Sequence, residues 1–365
     1  LEQHTHQPLP PTDESDKQRF VRSVKLSRMA LPILLGLTGV AYLFYQQFDA
    51  EKFREIEWSG WAFAWIGLAL LLLLARHFVF AYRLKVLTGG NFFSWRKCLE
   101  LIVLWEFSSA LTPTSKGGPF VMMFVLTKEK LSAGRTAAAV FYTMICDAGF
   151  FVIVLPILLA VYGPPMLYPG MKSYADQNLA SGVLLGTYVM MLCYWLFLVF
   201  FVFVRPQWAK KVMFGLARLT WLKRFAPKLT RLGEEFALAA TELRKQNAWY
   251  HVRVMLCAIA AWTSKFLMIN CLIIGIVPST PIDGGTQAFI YARLVAMFII
   301  MAFSPTPGGA GLAEIALAGF ISDYVPQGIG LVVALLWRGM AYYGYLIAGA
   351  LVVPGWVAAR LGKRG

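Results

Sequence analysis

The chain has 365 residues, 58% of them apolar or aromatic and only 15% charged, with a mean hydropathy of +0.61. A soluble domain carries roughly 25% charged residues, so a nucleic-acid module and most soluble enzymes are excluded. Five cysteines (Cys98, Cys146, Cys193, Cys257 and Cys271) lie in or beside apolar stretches without disulfide or metal-ligand spacing, and they read as small core residues. The 34 Lys and Arg against 19 Asp and Glu give a net charge of +15. In so apolar a chain that excess points to an anionic membrane surface.

In chain order, residues 1–16 read as a disordered tail. A basic segment (Lys17, Arg19, Arg22, Lys25, Arg28) leads into an apolar run, 29–45, that reads as a retained first span. Stretches near the roughly 20 residues that cross a bilayer follow at 61–82, 137–162, 180–204, 252–277 and 328–353, making six full spans. Two further apolar pieces are short. As helices, 99–112 would rise about 21 Å and 288–303 about 24 Å, against a hydrocarbon core of about 30 Å. Each runs into Pro/Gly-rich sequence and then a second short piece, 119–127 and 311–321. Between spans, 206–250 holds the densest basic cluster, with Trp208, Val212, Met213 and Leu216, then Leu232, Phe236, Ala239 and Leu243, at helical spacing. These predict amphipathic helices on the cytoplasmic leaflet. The whole reads as one all-α transmembrane domain, 17–355, followed by a basic tail, 356–365.

Charge assigns the sides. With a cytoplasmic N-terminus and alternation only at the six full spans, segments 1–28, 83–98, 116–135, 205–253 and 360–364 carry 27 of the 34 basic residues. The outer segments carry only Lys52, Arg54 and Lys172. This positive-inside bias requires each short pair to enter and leave on one side, predicting a re-entrant hairpin from the cytoplasm at 99–127 and another from outside at 288–321. Both termini are then cytoplasmic.

The two hairpins resemble each other. The first tip reads Ala-Leu-Thr-Pro-Thr-Ser-Lys-Gly-Gly-Pro over 110–119, the second Ala-Phe-Ser-Pro-Thr-Pro-Gly-Gly-Ala-Gly over 302–311. A lone intramembrane charge follows each, Asp147 after Pro113 and Arg338 after Pro305. Opposed entry plus sequence similarity describes an inverted repeat, about 97–162 and 288–353, of the kind that brings broken helices together near the midplane of secondary transporters. Broken backbone inside a membrane must face protein or a polar cavity, and helix N-termini at the tips suit phosphate or carboxylate. The substrate-binding candidates are therefore Thr112, Thr114, Ser115, Lys116, Gly117 and Gly118 in the first tip. In the second they are Ser304, Thr306, Gly308, Gly309, Gly311 and Glu314, with Arg338 beyond it.

Intramembrane ionisable residues are functional candidates by default. Arg338 either takes a lipid phosphate as a bidentate donor or pairs with Asp147 to hold the halves together. Glu314 caps nearby N–H groups or exchanges protons. Glu106 pairs with Lys116 or accepts a proton. Glu106, Asp147, Lys265 and Arg293 form the candidate set for coupling or structural ion pairing. Arg76 and His77 sit where they can snorkel toward the cytoplasm. Lys265, with Asn270 beyond it, makes an inter-helix contact or binds ligand.

No Walker loop, zinc-protease helix, nucleophile elbow or metal-binding carboxylate cluster is present in the sequence. No catalytic residue, metal or cofactor is therefore assigned.

The stretch 304–314, Ser-Pro-Thr-Pro-Gly-Gly-Ala-Gly-Leu-Ala-Glu, resembles the Pro-Thr-Pro-Gly-Gly-x-Gly-x-x-Glu signature of the lysylphosphatidylglycerol synthase transmembrane-domain family, the flippase-like membrane proteins. Arg338 is similar in placement to the arginine of that family's last span, and 95–151 resembles its first block, including Asp147. The resemblance covers about 60–355. It departs at Gly117-Gly118-Pro119-Phe120, where an Arg-containing tip is usual, and at Ala148, where an arginine is common. It implies a membrane protein that moves or presents lipids, here as a stand-alone member without a synthase domain. The expected function is inner-membrane transport of an anionic phospholipid or lipid-linked intermediate, with membrane lipids and a lipid-modifying enzyme as candidate partners and no nucleic acid. The alternatives are a membrane-embedded transferase acting on a polyprenyl-phosphate or glycolipid, and a non-transporting assembly partner.

Overall fold

The computed structural model describes residues 54, 56–112, 117–167, 174–218, 226–302, 304, 309, 311–326 and 328–361. The expected tail at 1–16 and first span at 29–45 lie outside these residues. The described elements are all helical. In order they are α1 (Gly60–Leu87), α2 (Trp95–Leu111), α3 (Gly117–Lys128), α4 (Ala133–Tyr162) and α5 (Tyr174–Val199), which continues as a π-helical turn, Phe200–Val204. Then come α6 (Pro206–Ala217), α7 (Ala226–Arg244), α8 (Ala248–Ile276), α9 (Gly284–Met301), α10 (Leu312–Phe320), α11 (Ile329–Arg338), a second π turn (Gly339–Tyr343) and α12 (Gly344–Leu361).

The starts of these helices are set by short polar caps. The side chains of Ser59, Ser94, Ser132, Asn247 and Asp283 each accept a backbone N–H three residues on, satisfying donors that the first turn leaves orphaned. Hydrogen bonds from the backbone N–H and hydroxyl of Thr286 hold the exposed Asp283 carboxyl below its ordinary range. This cap also corrects an expectation. Helix α9 begins at Gly284, ahead of the apolar run, and its 18 residues are long and apolar enough to cross a membrane; the short-limb reading of 288–303 started the helix where the hydrophobicity starts. Six described helices meet that length and apolarity, and the other five are 60–87, 133–162, 181–204, 248–276 and 329–360. The last helix runs on to Leu361, so the basic segment expected at 356–365 begins within it.

Helix α1 lies along α8, α2 packs on α3 and α12, and α9 packs on α10. One core joins α4, α5, α8, α9, α10 and α11; a second joins α1, α2, α3 and α12. Much of α1 is apolar yet exposed (Phe63, Leu71, Phe78), as for a helix whose outer face meets lipid. A third core seats α7 on α4, with Phe236 and Ala239 buried. Gly134 permits that approach, because a side chain there would strike the Glu235 backbone.

Candidate functional site

A cavity of about 330 Å³ lies where the α2–α3 and α9–α10 helix pairs meet the long helices. Pro119 enters it from the start of α3, Ser304 and Gly309 from the second tip, Asp147 from α4, Lys265 from α8 and Arg338 from α11. Asp147 also borders a smaller cavity of about 50 Å³ shared with Arg83 and Glu106.

The second tip is tied to this cavity by its own glutamate. Gly311, at φ +83°, caps α10, a backbone state that L side chains rarely adopt. Its N–H donates to Glu314 Oε2 at 2.8 Å, and Arg338 Nε donates to Glu314 Oε1 at 2.8 Å. Both partners of the ion pair are almost fully buried. The Arg338 guanidinium lies 4.0 Å over the Tyr342 ring, whose hydroxyl donates to the Ala110 carbonyl at 3.3 Å. Ala110 is next to the last residue of α2, so one continuous chain of contacts runs from the second tip to the edge of the first. The π turn following Arg338 carries Tyr342.

Asp147 does not pair with Arg338. It accepts two hydrogen bonds from Arg83, at 2.6 and 3.2 Å, and a third from Trp262 Nε1 at 3.3 Å. Arg83, expected among the cytoplasmic charges, is buried. Arg76 is buried too and does not snorkel, because its Nη2 donates to Glu106 at 3.0 Å. The pairing partner expected for Glu106, Lys116, lies outside the described residues. Both arginines lie over the Phe80 ring, at 4.5 and 4.7 Å. Positions 76, 80 and 83 form an i, i+4, i+7 stripe, and that periodicity was the available signal for Arg83.

Lys265 differs from the arginines. Its ammonium lies 4.5 Å from the Phe298 ring centroid and 4.9 Å from that of Trp262, and among the described residues it makes no ion pair. Arg76, Arg83, Lys265 and Arg338 therefore face Glu106, Asp147 and Glu314, so that among the described residues around the two cavities there is one cation more than there are carboxylates.

The remaining candidates are placed as follows. Gly118 lets α3 close on α2, since a side chain there would run into Ser109. Gly117 begins α3. Thr112 donates its hydroxyl proton back to Ser108 O at 3.0 Å. Arg293 is away from the cavity, bound to Asp323 at 2.6 Å. Asn270 donates to the carbonyl and side chain of Gln287, joining α8 to α9. His77 Nδ1 is 3.2 Å from the Tyr345 hydroxyl. Thr114, Ser115, Lys116, Thr306 and Gly308 lie outside the described residues.

The model of the lysylphosphatidylglycerol synthase transmembrane region matches residues 29–349. A UPF0104 membrane protein of Archaeoglobus fulgidus is 23% identical over 331 residues, spanning 88% of this chain and 94% of that one. No solved structure matches. Six apolar helices long enough to cross a membrane and a family match over most of the length lead to one conclusion: this multi-pass membrane protein belongs to the lysylphosphatidylglycerol synthase transmembrane-region family.

Proposed function

We propose that the chain moves an anionic phospholipid or lipid-linked intermediate between the leaflets of a cytoplasmic membrane, binding the headgroup between two re-entrant hairpins. The observation that carries this reading is the cavity that takes Pro119, Ser304 and Gly309 from the two tips and Lys265 and Arg338 from the long helices α8 and α11, with one cation more than its carboxylate among the described residues. Its volume of about 330 Å³ is at the lower end for small-molecule sites, enough for a headgroup but not its tails. An ammonium seated between aromatic rings without a carboxylate gains from an incoming phosphate, while Arg338 is already committed to Glu314. Lys265 is therefore the group that answers to substrate, and Arg338 positions the tip.

Helices α9 and α10 fold back on each other, as do α2 and α3, and this supports the hairpin reading. Alternating access then consists of one hairpin bundle rocking against the other while Glu314 keeps the second tip fixed to Arg338.

The test is translocation of headgroup-labelled lipids in vesicles containing purified protein. Lys265→Ala is expected to lower the rate for an anionic lipid at least tenfold while the unfolding midpoint stays within a few degrees of wild type. Equal rates for the two proteins, or no protein-dependent translocation of any anionic lipid, would overturn the reading.

A further inference from the structure

A further cavity lies apart from the Arg338 site. It encloses about 520 Å³ among α3, α4, the π-helical end of α5, α6 and α7. Six phenylalanines face it: Phe120, Phe124, Phe141, Phe197, Phe201 and Phe236. An apolar cavity of about 150 Å³ already stays dry and takes up an apolar guest; this one is more than three times larger. Phe120 and Phe197 are largely exposed, at 63% and 59%, so the space opens sideways on a face rich in apolar side chains. Trp208, Val212 and Phe214 of α6 are exposed beside it, which suits a helix lying in a membrane interface.

Polar features are few and specific. Thr136 is among the residues around the cavity and is fully buried, and its hydroxyl has no hydrogen-bond partner among the described residues. A buried donor of this kind is costly unless something accepts from it. Thr127, the other hydroxyl in the wall, is already donated to Phe124 O. Beside the wall stand two cations. Lys128 lies 5.3 Å over the Phe124 ring and Lys211 lies 5.4 Å over Trp208, and among the described residues neither makes an ion pair. Their neighbours Lys210, Arg231 and Arg135 are each engaged by a glutamate.

We propose that this cavity seats one acyl chain of an anionic glycerophospholipid. The chain lies among the phenylalanines, its ester carbonyl accepts from Thr136, and its phosphate sits between Lys128 and Lys211. Such a lipid fixes the α6–α7 pair to the membrane as a resident ligand. The proposal does not rest on transport through the Arg338 cavity.

The test uses full-length protein in nanodiscs containing phosphatidylglycerol with a diazirine in mid-chain, followed by irradiation and peptide mass spectrometry. Adducts are expected within residues 120–141 or 197–213, at least threefold above those from a phosphatidylcholine probe of the same chain. Ala137→Phe, which fills the cavity from α4, should reduce them at least fivefold. Thr136→Val, nearly isosteric, guards against misfolding of the larger variant and should reduce them about twofold at an unchanged elution volume. Lys265→Ala should leave labelling unaltered, so loss of the transport reading does not touch this one. Equal labelling by both probes, adducts confined to the exposed face of α1, or labelling unchanged in both cavity variants would overturn the proposal.

Discussion

The halves 95–162 and 284–361 are built to one plan and wired differently. Each runs a helix of 17 or 18 residues, a break, a short helix of 12 or 9 residues and a long one. In each, a carboxylate just beyond the short helix binds a cation on the helix before the break: Glu129 with Lys97 at 2.8 Å, and Asp323 with Arg293 at 2.6 Å. The charges nearer the cavity diverge. The second half pairs internally, Glu314 with Arg338. The first half looks outward, sending both Glu106 and Asp147 to arginines of α1. The cavity-facing carboxylates of the first half thus tie it to α1 and the α1–α8 frame, whereas the second half reaches the first through α12, where Arg360 and Trp356 hold Glu129.

The sharpest way to break that contrast is Glu314→Ala. It strands a buried guanidinium and frees the Gly311 N–H, and loss of one partner of a buried pair costs about 3–5 kcal/mol. Chemical unfolding in detergent should read a loss of that size. A loss below about 1 kcal/mol would mean the second tip is not held by its glutamate.

Asp147→Asn tests the outward wiring and should cost less, about 1–3 kcal/mol, because the Asp147 side chain is 27% exposed. Exchanging the partners in the double variant Arg83→Asp, Asp147→Arg should recover much of the loss measured for either single variant. No recovery would mean that the Trp262 contact to Asp147, rather than the ion pair, joins the first half to the frame.

Much of this plan was legible in the residues, for definable reasons. Long apolar runs and Ser or Asn caps mark helices through local physics, so spans 137–162 and 252–277 reappear as α4 and α8 with four residues added at each N-terminus. The capping role of Glu314 follows from its place one turn beyond Gly311. Partner choice was less legible, because ion pairs between distant helices depend on rotation about each axis. The repeat put Asp147 and Arg338 in equivalent positions, yet equivalence under an approximate symmetry does not make two residues touch; each found a nearer partner. Arg83 was misread because a charge near a helix end looks the same whether it sets topology or turns inward.

Glu129 carries a pH signature. Burial opposes its ionisation, but donation from Lys97, Arg360 and Trp356 overcomes this and holds the carboxyl below its ordinary value. A carboxylate depressed on folding contributes stability that is present above its unfolded value, about 4.3, and is lost as the pH falls through the folded value. Unfolding free energy should therefore decline below about pH 4.3, with a smaller decline in Glu129→Gln. Identical pH profiles would show that α12 is not fastened to the first half by this carboxylate.

The smallest expected effect is the most diagnostic of how the halves communicate. Tyr342→Phe keeps the aromatic face under Arg338 and removes only the hydroxyl bonded to Ala110 O. One neutral hydrogen bond contributes about 0.5–1.5 kcal/mol, so stability should change little. If the second half moves against the first, this bond is among those that must break in each cycle, and its loss should shift the balance between access states more than it shifts stability. Cysteine accessibility at Ser304 in Tyr342→Phe, compared with the parent Ser304→Cys protein, reads that balance. A changed modification rate at nearly unchanged stability is expected. An unchanged rate would place the moving boundary elsewhere than between Tyr342 and the end of α2.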